Sequence, residues 1–332
     1  MQVLVGAAPI AAVDRQRMVQ RFPEVAFTFA EDAAAMTAAA AQAEVIFTKG
    51  IPGEALAAAT GLRWVQAGTA GVDGLLRLGL RERPDVLLTN ARGAHGVPMA
   101  ENILTMALCF ATRMHLLIRG QQEQGRGAPA PPGASRPTRL GARVIEEKWE
   151  LDGQTMLVLG LGDVGGTLAE KASGLGMRVI GVRRRAGPHP HCAAVYALAD
   201  LAAALPEADH VAVCLPLTPD TRHCIGEAEL RRMRPTAHVY NVGRGACIDG
   251  VALRRALAEG WIGGAGLDCV EPSDTPAADD PIWEMENVIL SLHTSGSSPY
   301  NSRRITDIFM DNLERFERGA PLHNLIDVTV GY

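Results

Sequence analysis

The sequence has no excess of basic residues: 32 lysines and arginines stand against 37 acids, a formal charge of -5. That balance gives no general attraction for nucleic acid or anionic lipid, so any basic site has to be local. Cysteine is sparse and scattered. Cys109, Cys192, Cys214, Cys224, Cys247 and Cys269 lie without close pairing, which suits neither a disulfide framework nor a zinc site; a reducing, cytoplasmic setting and no metal are expected. No basic region precedes the first apolar stretch, which reads as a strand followed by a helix and not as an export signal. The longest helical apolar run, 103–111, is interrupted by Thr105 and closed by Thr112 and Arg113, well short of the roughly 18 to 20 residues that span a bilayer. No membrane partner is expected, and no repeat at solenoid periods is seen.

What is there is length and alternation. At 332 residues the chain exceeds the size at which one hydrophobic core usually stops growing, so two domains are expected, with a cleft between them as the place for chemistry. Short β-rich runs at 2–5, 25–29, 44–48, 63–66 and 86–89 alternate with alanine-rich helical stretches, the mark of a parallel sheet covered by helices. One long helix is expected from Pro98 to Arg119, with Pro98 in its first turn, Glu101 near its N-terminus and Gly120 at its end. Residues 124–142 are so rich in glycine and proline that they read as an irregular loop, a tolerated surface insertion. A second series of strands follows near 155–159, 178–182, 210–214, 238–241, 264–268 and 288–291. A last helix near 300–318 is free, by the connection rules, to return to the first domain.

The strand at 155–159 runs into Gly160, Leu161, Gly162, Asp163, Val164 and Gly165 at the start of a helix. Gly160 permits a tight turn, Gly162 lets the backbone approach a pyrophosphate, and Gly165 lets helix and strand pack closely, with the helix N-terminus facing the anion. A glycine-rich turn without a ligand has the same composition; the flanking strand and helix are what favour the dinucleotide. The end of the next strand, about 20 residues on, usually presents an acid to the ribose of NAD. Here it leads into Arg183, Arg184 and Arg185. A 2′-phosphate is an anion that guanidinium grips through paired hydrogen bonds, so NADP(H) is favoured. NAD(H) remains the alternative if the three arginines are only a solvated loop.

Taken together these residues resemble the D-isomer-specific 2-hydroxyacid dehydrogenase family, particularly its glyoxylate and hydroxypyruvate reductases. Besides the fingerprint, the stretches 68–74, 90–102, 215–221, 241–245, 266–269 and 292–296 match in order, over nearly the whole chain. The resemblance implies two doubly wound α/β domains. A flavodoxin-like substrate domain would comprise 1–99 with 297–332, and a Rossmann cofactor domain, 100–296, would be inserted into it. It also implies a homodimer through the helix that begins near Pro98.

By the resemblance Arg244 is the catalytic arginine, able to hold a substrate carboxylate and stabilise charge growing on the carbonyl oxygen. Gly243 and Gly245 beside it favour close ligand approach. His293 matches the acid/base, a task that suits an imidazole because its unperturbed pKa lies near neutrality. The family's third residue is a glutamate that supports the histidine, and here the sequence departs. The usual spacing from Asp268 falls on Ser273, while Glu271 precedes it and Asp274 follows in a segment one residue longer. Asp274 is the reading taken; Glu271 stays open, and Ser273 would leave the histidine without an electrostatic partner.

The cofactor residues implied are Gly160, Gly162, Asp163, Val164 and Gly165 with Arg183, Arg184 and Arg185. Leu215, Thr221, Val242, Gly243, Asp268 and Gly296 join them, with Asp268 near the nicotinamide carboxamide and Thr221 near the phosphates or ribose. Substrate would meet Lys49 and the backbone of Ala70, Gly71 and Val72, exposed N–H groups of a glycine-rich turn. Lys49 and Thr221 could equally be turn stabilisers, and His95 and Arg92 either approach the site or shape their loop. The activity expected is NADP(H)-dependent reduction of a small 2-keto acid, glyoxylate or hydroxypyruvate in type, to the D-2-hydroxy acid. The alternatives are an NAD-dependent dehydrogenase of a bulkier acid and a non-catalytic dinucleotide-sensing interaction protein.

Overall fold

A computed structural model of the protein describes residues 1–6, 10–124 and 139–328. The chain divides into two compact units, Met1–His95 with Ser297–Tyr332, and Gly96–Gly296.

The first unit holds strands β1 (Gln2–Gly6), β2 (Ala26–Ala30), β3 (Val45–Thr48), β4 (Trp64–Ala67) and β5 (Leu87–Thr89), ordered β2-β1-β3-β4-β5, every neighbouring pair parallel. The inner strands β3 and β4 are buried along their whole length, as a strand covered on both faces requires. The edge strand β2 alternates instead. The C-terminal helix Asn301–Glu317 covers this sheet: Phe309 stacks on Phe47 at 4.4 Å and on Trp64 at 5.5 Å. A buried polar chain completes the seam, in which Trp64 Nε1 donates to Thr89 Oγ1 (2.8 Å) and both Thr89 Oγ1 and Asn312 Nδ2 donate to Gln66 Oε1.

The second unit holds β6 (Thr155–Leu159), β7 (Arg178–Arg183), β8 (Ala194–Ala197), β9 (His210–Val213), β10 (His238–Asn241), β11 (Gly264–Leu267) and β12 (Val288–Leu290). Their order is β12-β11-β10-β9-β6-β7-β8, again all parallel. The direction of winding reverses between β6 and β9, and at such a switch point, outside the carboxyl ends of the strands, open α/β sheets bind ligands. Both sheets are thus doubly wound.

Three elements differ from the sequence reading. The expected helix 98–119 is two helices, Gly96–Ala111 and Met114–Gln124, bent by 76°. Arg113 adopts φ 55, the carbonyl of Ala111 accepts from Trp149 N (3.1 Å), and Arg113 Nε donates to Glu147 O (3.2 Å), so the helical ladder is interrupted by partners from another segment. The strand β8 is the second: its alanine-rich, half-buried sequence carries no strong strand signal. Third, a helix, Arg139–Glu147, begins inside the stretch read as a loop; residues 125–138 of that stretch lie outside the described residues. No single helix among the described residues is long and apolar enough to cross a bilayer.

Candidate active site

The turn after β6 is built as its glycines require. Gly160 has φ 93, and a Cβ on Gly165 would fall 1.8 Å from the carbonyl oxygen of Gly160, so no side chain fits at that helix–strand contact. At Gly162 an added Cβ would meet nothing within 4 Å, which leaves the turn open above the N-terminus of the helix Asp163–Gly174. An open cradle over unpaired helix N–H groups fits a dinucleotide pyrophosphate. Asp163 and Val164 form the first helical turn, and the Asp163 carboxylate lies against Gly96.

Where β10 ends, Asn241 ties the next turn to itself. Its Oδ1 accepts from Gly243 N (3.1 Å) and its Nδ2 donates to Arg244 O (2.9 Å). Arg244 is half-buried, and its Nη1 donates to Gly243 O (2.9 Å). The flanking glycines have a different cause from the one the sequence suggested. A Cβ on Gly243 would come within 2.5 Å of Leu215 O, and one on Gly245 within 2.6 Å of the Val270 backbone, so chain crossings demand them.

After β12 the backbone enters the left-handed region twice in succession, at Leu292 (φ 52) and His293 (φ 58). Such conformations cost about 1 kcal/mol or more each in non-glycine residues and persist only where surrounding bonds over-determine them. Asp268, at the end of β11 and almost wholly buried, supplies those bonds. Its Oδ1 accepts from Ser291 Oγ (2.7 Å), Thr294 N (2.9 Å) and Ser295 N (3.0 Å), its Oδ2 from Ser295 Oγ, and its carbonyl from His293 N (2.7 Å). The carboxylate read from the sequence as a nicotinamide contact is therefore occupied with the turn that presents His293.

The three candidates for the histidine's partner separate clearly. Asp274 Oδ2 lies 3.9 Å from His293 Nδ1, while its Oδ1 accepts from Gly245 N (2.9 Å). One carboxylate thus touches the turn carrying Arg244 and faces the imidazole. Both side chains are substantially exposed, 35% and 51%, so the pair adds at most about 1 kcal/mol to stability; its value is orientation. Glu271 is engaged elsewhere, with His223 Nε2 at 2.8 Å and Gly250 N at 3.2 Å. Burial raises its pKa, but the hydrogen bonds from His223 and Gly250 and the charge of Arg222 outweigh this and hold it below the usual carboxylate range. Ser273 Oγ donates to Thr275 O (2.7 Å).

The remaining cofactor candidates of this unit divide into exposed and structural. Arg184 and Arg185 are exposed, whereas Arg183 shapes the loop, its Nε donating to Arg185 O (3.0 Å) and its Nη2 to Pro188 O (3.3 Å). Thr221 Oγ1 donates to Pro216 O (2.6 Å) and accepts from Thr218 N (2.7 Å), which makes it a turn stabiliser. Leu215 and Val242 are buried beneath the β9 and β10 turns, and Gly296 ends the unit.

In the first unit, Asn90 Nδ2 donates to Ala70 O (2.6 Å) and Thr69 Oγ1 to Gly71 O (2.7 Å). The N–H groups of Ala70, Gly71 and Val72 have no acceptor among the described residues, an arrangement that suits a carboxylate. Lys49 is half-buried next to Gly68, has no ion pair among the described residues, and burial pulls its pKa down. His95 and Arg92 are held within this unit, His95 Nδ1 by Asn301 Nδ2 (3.3 Å) and Arg92 Nε by Asn324 Oδ1 (3.3 Å).

Residues 111–295 match the family model described as D-isomer specific 2-hydroxyacid dehydrogenase, NAD binding domain. The chain belongs to the D-isomer specific 2-hydroxyacid dehydrogenase family. A glyoxylate reductase of Korarchaeum cryptofilum is 38% identical over 185 residues, 55% of this chain and 54% of that protein. The chain therefore spans about half the length of the curated relatives it matches first. Among solved structures, a D-isomer specific 2-hydroxyacid dehydrogenase family protein from Aeromonas salmonicida has a TM-score of 0.82 at 30% identity, covering 98% of this chain and 99% of that one. A D-isomer specific 2-hydroxyacid dehydrogenase from Xanthobacter autotrophicus Py2 in complex with NADPH and MES has a TM-score of 0.79 at 26% identity, covering 99% of both.

Of the three residues the spacing offered, Asp274 is the carboxylate that faces the histidine. The sequence reading missed two features: the use of Asp268 to hold the His293 turn, and the engagement of Glu271 by His223. The first had a signal, since Ser291, Thr294 and Ser295 place three hydroxyls around His293. The second had none, because His223 and Glu271 are 48 residues apart.

Proposed function

We propose that this dehydrogenase reduces a small 2-keto acid of the glyoxylate or hydroxypyruvate class to the D-2-hydroxy acid with NADPH. The observation that carries the reading is the Asp274 carboxylate, bonded to the Arg244 turn and facing the imidazole of His293. Arg244 holds the substrate carboxylate and lies beside the carbonyl oxygen, offering donors to the charge that grows there. His293 keeps Nδ1 toward Asp274, so Nε2 is the atom that delivers the proton to that oxygen and recovers it in the reverse direction. Asp274 orients the imidazole by facing its Nδ1. When bound, the nicotinamide supplies the hydride to C2.

The second unit serves as the cofactor domain and the first as the substrate domain, where the N–H groups of Ala70, Gly71 and Val72 and the Lys49 ammonium offer a carboxylate its donors. Arg184 and Arg185 select the 2′-phosphate. Relatives that act as glyoxylate reductases and a similar structure holding NADPH support both halves of this reading. Leu108, Met114, Ile118 and Ile145, exposed apolar residues on or beside the bent helix pair, support a homodimer. The six unpaired cysteines suit a reducing, cytoplasmic setting.

The test is oxidation of NADPH and of NADH with a panel of 2-keto acids. NADPH should give the higher kcat/KM, and replacing Arg184 and Arg185 by serine should narrow the ratio by about tenfold to a hundredfold, the worth of one or two charge-assisted hydrogen bonds. Equal use of both cofactors by the unaltered protein ends the NADPH assignment. Tight NADPH binding without turnover of any acid favours the sensing protein instead.

A further inference from the structure

The loop that carries Asp274 is closed on itself by Val270 N donating to Asp274 O (3.1 Å), and Asp274 adopts φ 61. An aspartate is one methylene shorter than the family's glutamate, so its backbone has to be held closer to its targets. Glu271, three residues earlier, is where the loop is fastened. Its carboxylate receives both His223 Nε2 (2.8 and 2.9 Å) and Gly250 N (3.2 Å), Arg222 Nη1 lies 3.6 Å away, and its carbonyl accepts from Arg254 Nη2 (3.2 Å). Arg254 is in turn fixed by Asp280, through Nε at 3.0 Å and through Nη2. His223 itself has φ 51 and donates its N–H to Ala246 O (2.9 Å), in the segment that follows Arg244 and Gly245.

We infer that the Glu271–His223 pair is a positioning device for the acid/base histidine: it fastens the 270–274 loop so that the shorter Asp274 reaches both the Arg244 turn and His293. This inference rests on Asp274 being the partner of His293. Glu271 touches no reacting atom and acts through Asp274. Because the same carboxylate grips residues 222 and 223 and the start of the helix Gly250–Glu259, the loop is fixed to two separate segments, and removal of the carboxylate releases its contacts with His223, Arg222 and Gly250 together.

A double-mutant cycle on kcat, with NADPH and the best keto acid of the panel, separates positioning from general stability. Glu271→Ala should lower kcat about tenfold, a sub-ångström displacement of the acid/base group, with KM for the keto acid changed less than about twofold because Asn241 still holds the Arg244 turn through Gly243 N and Arg244 O. Glu271→Gln should recover most of the rate, since its amide oxygen still accepts from Gly250 N and His223. The double variant Glu271→Ala/Asp274→Ala should be no slower than Asp274→Ala alone. Losses that multiply, or a Glu271→Ala enzyme with unchanged kcat, overturn the inference. A different result, full activity of Asp274→Ala, removes the reading on which it rests. If Glu271→Ala does not fold, His223→Gln enters the same cycle from the other side of the pair.

Discussion

The two ends of the second sheet hold histidines in opposite environments. At the starts of β9 and β10, His210 and His238 are buried and stacked 6.0 Å apart, under Trp149 and Phe110 and beside Tyr240. Burial pulls His210 down to about 4 and His238 down to about 3, the latter helped by the neighbouring His210 and Arg113. These imidazoles are kept neutral and serve as packing. Past the end of β12, His293 is half exposed, faces a carboxylate, and is presented on a strained turn that a second, buried carboxylate holds together. The same residue type is a core ring where desolvation dominates and, in the proposed reaction, the proton carrier where solvent and Asp274 reach it.

The largest test of this contrast is His293→Ala. Loss of a positioned general acid costs about a hundredfold to ten-thousandfold in rate, and kcat should fall by that much while the thermal midpoint barely moves, because the side chain is exposed. A variant within about threefold of the parent rate would be outside any acid/base role. Asp268→Asn comes next. An amide keeps the shape but turns one acceptor into a donor facing the Ser295 hydroxyl or the Thr294 and Ser295 N–H groups, leaving buried groups unsatisfied at about 1–3 kcal/mol. Stability and kcat should therefore fall together, in contrast with His293→Ala, where only kcat falls. A stable, fully active Asp268→Asn protein would show that the turn is held by other means.

How much of this was legible in the sequence follows from how local each cause is. Eleven of the twelve strands lie within a residue or so of the runs read from pattern, because each inner strand is a short apolar run bounded by turn residues. The fingerprint glycines were legible for the same reason: Gly165 is crowded by the Gly160 carbonyl a few residues before it, and Gly160 takes φ 93 within its own turn. The break at Arg113 was not, since its partners Glu147 and Trp149 come from more than 30 residues away. Nor was the reason for Gly243 and Gly245, which are set by Leu215 and Val270 crossing beside them. The choice among Glu271, Ser273 and Asp274 fell between these cases. Spacing narrowed it to three neighbours, and only the fold shows which carboxylate is engaged by His223 and which faces His293.

The smallest effect on activity is expected at the other end of the sheet. His238 Nε2 has no hydrogen-bond partner among the described residues, so His238→Leu, near in volume, removes an unpaired buried nitrogen and should change stability at pH 7 by less than about 1.5 kcal/mol. Its kcat should equal the parent's, since the substitution lies at the opposite end of β10 from the turn that carries Arg244. Acid should tell the two proteins apart. A folded pKa below the unfolded value means that the unfolded chain takes up the proton first, so stability is complete above about pH 6.5 and declines by about 1 kcal/mol per pH unit for each such imidazole. The decline runs down toward pH 4 for His210 and pH 3 for His238. Asp209, beside His210, opposes the burial effect there, while Arg113 and His115 reinforce it at His238. Denaturant midpoints at pH 7, 6 and 5 should therefore fall less steeply in His238→Leu than in the parent, by about one proton's worth of slope. Parallel declines would mean that His238 is not held neutral, and a loss of kcat would mean that the buried histidines are not separate from the reactive end of the sheet.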